Sequence, residues 1–75
     1  MKNRIVGKIV YQNLGMGFWG ILGDDGQEWL PINMPEQLKT PGARVEVTAR
    51  KIEDYVSMHM WGQAIRITAF QTLMP

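Results

Sequence analysis

Ala43-Arg44-Val45-Glu46-Val47-Thr48-Ala49-Arg50-Lys51 alternates small apolar and polar residues at every step as far as Arg50. Successive side chains of a strand point to opposite faces. Ala43, Val45, Val47 and Ala49 therefore turn inward, and Arg44, Glu46, Thr48 and Arg50 turn to water. The period of two predicts a strand over Ala43–Lys51 with one buried and one wet face.

Working back from it, Pro31 to Gly42 holds the only helix candidate. Asn33 can cap, Pro35 suits a first turn, Glu36 complements the positive helix end, and Gly42 stops the chain. Pro35–Lys39 is one or two turns. Further back, Asp24-Asp25-Gly26 lies between two apolar runs, which predicts a tight hairpin turn joining strands Phe18–Gly23 and Gln27–Leu30. Asn13 to Gly17 is a loop. Ile5–Gln12 is a β-branched strand with Ile5, Gly7, Ile9 and Tyr11 on one face, and Gly7 predicts a bend or bulge in it. Forward of the deciding stretch, Glu53-Asp54-Tyr55 reads as a turn and Met58–Trp61 as loop or strand edge. Ala64–Leu73 is the last strand, with Ile65, Ile67 and Ala69 opposed to Arg66 and Thr68.

The order is three meandering strands, a short helix, then two strands. It predicts one all-β domain over residues 1–75, a small five-stranded barrel of the oligonucleotide/oligosaccharide-binding (OB) type with one short helix between strands 3 and 4. An SH3-like barrel is the alternative. A chain of 75 residues buries only about 60–65% of its unfolded surface. With no cysteine it has neither a disulfide nor a thiolate metal site to staple it. Packing, a partner or self-association must supply the rest.

Eight basic and seven acidic residues leave a net charge of +1. Proteins held mainly by phosphate contacts carry a clear basic excess, so the balance disfavours nucleic acid and a membrane surface as partners. Lys8 and Gln12 interrupt the apolar run at the N-terminus before a leader develops, and no stretch is apolar enough to span a membrane. Cytoplasmic is the default expectation.

Phe18, Trp19, Trp29, Tyr55 and Trp61 are candidates for a stacking platform, against the alternative that they form core. Phe18 and Trp19, as strand neighbours, face opposite sides, so one is buried. Arg44 and Arg50 share the outer face of strand four, with Arg66 beside them and Lys8 near. They could track a phosphate backbone, although Glu46 sits between them. Met58, His59 and Met60, with Trp61, are candidate ligands for Cu(I). In a strand the two methionines face away from the histidine, which argues for structure instead. Asp24, Asp25, Glu28, Glu53 and Asp54 read as turns and solvated surface. One histidine, one serine (Ser57) and no cysteine leave little from which to build a nucleophilic site.

Three segments carry a resemblance: Gly17-Phe18-Trp19-Gly20-Ile21-Leu22-Gly23-Asp24-Asp25-Gly26, Trp29-Leu30-Pro31-Ile32-Asn33-Met34-Pro35, and Met58-His59-Met60-Trp61-Gly62. Together they resemble a family of small prokaryotic OB-like domains of this length. The resemblance implies a β-barrel and carries no assigned activity. A weaker resemblance is to cold-shock domains, which place their first RNA-binding aromatics where Gly17-Phe18-Trp19-Gly20 stands. No lysine precedes the Gly-Phe pair here, and Trp29-Leu30-Pro31 replaces their Phe-Val-His segment. The Met-His-Met-Trp run is similar in composition to that of small copper-binding barrel proteins.

The expectation is therefore a non-enzymatic binding module without a cofactor. It would use an aromatic-rich surface (Phe18, Trp19, Trp29, Trp61) toward a protein, a peptide or its own copy. Single-stranded nucleic-acid binding through Phe18 or Trp19 with Arg44, Arg50 and Arg66 is the first alternative, and Cu(I) binding the second.

Overall fold

Hydrogen bonding requires the alternating stretch to find a neighbour on each side, and it does. In the computed structural model, which describes residues 2–13, 15–53 and 61–73, the strands are β1 (Lys2–Gln12), β2 (Phe18–Gly23), β3 (Glu28–Pro31), β4 (Arg44–Lys51) and β5 (Gln63–Thr72). They close into a barrel in the order β1-β2-β3-β5-β4. All pairs are antiparallel except β3 with β5. The OB-like, all-β architecture is as expected.

Closure depends on β1 serving two neighbours. Gly7 to Gln12 pair with β2, and Lys2 to Lys8 pair with β4. Gly7 lies at the changeover, opposite both Gly23 and Val45. A β-carbon there would run into the backbone carbonyl of Leu22. The predicted bend is thus the place where β1 leaves one half of the barrel for the other.

The hairpin turn also forms as read. Gly23 and Gln27 close a three-residue loop, with Gly26 at φ 86°. The Asp25 carboxylate accepts from the Gln27 amide at 2.9 Å. A left-handed third residue is the usual solution for a hairpin loop of this length.

Inside the barrel lie Ile5, Ile9, Ile21, Trp29, Leu38, Val45, Val47, Ala49, Ile65 and Ile67. No polar residue is buried among the described residues. Leu38 enters from the segment between β3 and β4. That segment is a single 3-10 turn, Glu36–Leu38, rather than the one-to-two-turn α-helix expected. It has no side-chain cap, because Pro35 stands at the cap position, and Asn33, the expected cap, is engaged elsewhere. The Asn33 amide donates to the Ile67 carbonyl at 2.9 Å and accepts from the Ile67 N–H at 2.8 Å. It thereby does for β5 what another residue of β3 would have done.

Two residues depart from the burial of the residues read on the same face. Tyr11 is 46% exposed, at the barrel's end. A bulge between Thr48 and Ala49 lets two steps of β5 oppose one of β4. Ala69 consequently pairs with Thr48 on the outer face, and Phe70 takes the place opposite Val47.

Replacing Asn33 with alanine leaves a half-buried N–H and C=O on Ile67 without partners. The expected cost is about 1–3 kcal/mol, read by urea unfolding, with faster hydrogen exchange at the Ile67 amide. Unchanged stability would mean that water replaces the side chain without loss.

Candidate functional site

OB-like barrels bind ligands on the outer face of β2 and β3. In β2, Ile21 points inward, so Phe18 and Gly20 point out; Leu30 of β3 lies beside them. That surface is apolar, yet Phe18 is only 9% and Leu30 only 6% exposed. Trp61 covers them. Its ring packs 5.5 Å from Phe18, and its six-membered ring occupies the space where a Gly20 side chain would stand. The glycine is a seat for the indole, placed by the run after which β5 begins.

The other two tryptophans have different surroundings. Trp29 belongs to the core, 9% exposed, with the Lys51 ammonium 5.9 Å over its ring. Trp19 is half-buried against the core, its ring edge-on to Tyr11 at 5.1 Å. Phe18, Trp19, Trp29 and Trp61 therefore do not form one open aromatic platform. Met58, His59 and Met60, with Tyr55 and Ser57, lie outside the described residues. Among the described residues no group of three His, Cys, Asp or Glu side chains could hold a metal, and no helix is long and apolar enough to cross a membrane.

The arginines separate into two kinds. Arg44 forks onto Asp24 through bonds of 2.7 and 2.9 Å, tying the start of β4 to the β2–β3 turn. That guanidinium holds the Asp24 carboxyl below its ordinary value, and the carboxylate in turn raises Arg44. Glu46 is bonded by Arg4 and by Gln71, and is likewise held low, chiefly by Arg4. Among the described residues Arg50 and Arg66 have no such partner. They stand directly opposite one another across β4 and β5, and Lys2 of β1 stands opposite Arg50 on the other side. All three are exposed.

The edge of β5 was not singled out by sequence reasoning. β3 pairs only with Gln63 to Ile65, and Asn33 extends that cover to Ile67. Among the described residues, the strand from Ala69 to Thr72 has β4 alone as neighbour. The Leu73 N–H donates to the Arg44 carbonyl. By alternation Gln71 and Ala69 also face β4, and Phe70 and Thr72 point their N–H and C=O groups outward. Phe70 is 40% exposed. The run Thr68-Ala69-Phe70-Gln71-Thr72-Leu73 carries no charge, whereas open edges are usually blunted by charge, proline or a covering loop. That uncharged run was the available signal.

Two outcomes follow. Gly20→Ala should push Trp61 off Phe18, shifting tryptophan emission to the red and costing about 1–3 kcal/mol; an unshifted spectrum would contradict the seat. Asp24 has a lowered folded pKa, so its contribution is present above the ordinary aspartate value and lost as pH falls through the folded one. The thermal-midpoint gap between wild type and Asp24→Asn should therefore hold at neutral pH and close below about pH 4. A gap that persists in acid would contradict the ion pair.

No family model, curated protein or solved structure matches this chain.

Proposed function

We propose that this protein is a non-enzymatic interaction module that accepts an extended strand on the free edge of β5, and that its simplest partner is β5 of a second copy. The observation that carries the reading is the uncharged, one-sided stretch Ala69 to Thr72. An unpaired row of N–H and C=O groups binds another strand through its main chain, with side chains setting preference.

A second copy suits this edge for three reasons. An antiparallel strand pair about a two-fold axis is self-complementary, so one edge supplies both halves. No charge on the run repels its own copy. Phe70, 40% exposed at the middle of the run, gains cover from the partner strand. A small barrel also benefits from the added burial.

Sedimentation velocity over a concentration series tests this. The wild type should dimerise as concentration rises. Phe70→Lys places a charge on the edge and should weaken the dimer at least tenfold, about 1.4 kcal/mol, while leaving the circular dichroism unchanged. A wild type that stays monomeric throughout, or a variant that dimerises equally well, would overturn the reading.

A further inference from the structure

The two-sided pairing of β4 creates a second feature, on the sheet face rather than its edge. Lys2, Arg50 and Arg66 lie in one cross-strand row, Lys2 opposite Arg50 and Arg50 opposite Arg66. Their side chains project from the same outer face, because Ile5, Ala49 and Ile67 take the inward positions of those strands. Neighbouring strands are about 4.8 Å apart. The row therefore spans about 10 Å from β1 to β5.

Like charges directly opposite one another destabilise a sheet. This protein has carboxylates for its other surface arginines: Asp24 for Arg44 and Glu46 for Arg4. Among the described residues none is placed on Lys2, Arg50 or Arg66. Lys8 and Lys51 also lack a carboxylate among the described residues, but Lys8 stands at the Arg44 end of the sheet and Lys51 lies over the Trp29 ring. In a chain of net charge +1, Lys2, Arg50 and Arg66 are the three unpaired cations that stand in one line. A single phosphate could touch only part of a line this long on an open face. A chain of phosphates can touch all of it. Membrane-binding clusters usually hold four to eight basic residues, and the next row of this sheet runs through Thr48 and Ala69, with Arg4 already bonded to Glu46.

We infer that the Lys2–Arg50–Arg66 row binds the phosphodiester backbone of a nucleic acid, without reading its bases. The contact adds to the strand-pairing reading and does not rest on it, since the row lies on the sheet face and the β5 edge is separate from it. The near-neutral charge of the whole chain makes the contact weak and salt-dependent.

The test uses the whole chain and fluorescein-labelled oligothymidylate of about 12 nucleotides, with a duplex of equal length as the second arm, read by anisotropy. Three phosphate contacts predict a slope of log affinity on log salt of about −2 for the single strand and nearer −3 for the duplex. The arm with the tighter binding identifies the source. Arg50→Gln with Arg66→Gln should weaken binding at low salt at least tenfold and bring the single-strand slope to about −0.7. Lys39→Gln, which removes one charge elsewhere, should leave binding unchanged. Because the substitutions relieve like-charge opposition, the thermal midpoint should rise or hold. Arg66→Thr, a β-branched residue at the same position, is the second variant should the double one fail to fold. No binding at low salt, binding that survives loss of the arginines, or tighter binding to phosphatidylserine vesicles than to either nucleic acid would each overturn the inference.

Discussion

The structure depends on β1 being a neighbour to two strands at once. Eleven residues are enough to pair with β2 at one end and β4 at the other, but only if the chain turns between them without a side chain in the way. Gly7 satisfies that condition, because its β-carbon position is filled by the Leu22 carbonyl. Once β1 is shared, the sheet must curl, and Ile5, Ile9, Val45 and Val47 meet Ile21 and Ile65 in one interior. Leu38 then plugs the space from the single helical turn.

The same closure leaves an imbalance of lengths. β3 has four residues and β5 has ten. Three register pairs join them, and Asn33 adds a side-chain substitute for one more step. Among the described residues the remainder of β5 leans on β4 alone. Functional potential follows from where closure is incomplete rather than from a cavity. The usual ligand face of such barrels is filled from within by Trp61 on Gly20, so the outward-looking features are the β5 edge and the cation row on β1, β4 and β5.

Much of this was legible in the chain. The alternation from Ala43 to Arg50 gave both the strand and its inward face, Asp25-Gly26 gave the hairpin, and Gly7 marked the bend. Other features needed the third dimension. Asn33 has the right chemistry for a helix cap, and only the shortness of β3 makes it more useful on Ile67. The bulge at Thr48/Ala49 reverses the alternation in β5, so Ala69 and Phe70 exchange faces, an event no periodicity within β5 reports. The aromatic residues were visible as a group, but their division depends on partners distant in sequence: Trp29 goes inward, and Trp61 goes onto a glycine. The pairing of Arg50 with Arg66, and the sequestration of Arg44 by Asp24, follow from strand order and register, which the amino-acid pattern of one strand does not contain.

Amide hydrogen exchange at Phe70 and Thr72 reports most directly on whether the edge of β5 is open. Their N–H groups point away from β4, whereas Gln71 and Leu73 point toward it. With an open edge that pairs with a second copy, Phe70 and Thr72 should exchange rapidly in dilute protein and slow down together as concentration rises, with Gln71 protected throughout. Rapid exchange at Phe70 and Thr72 at every concentration, with Gln71 still protected, would contradict that pairing.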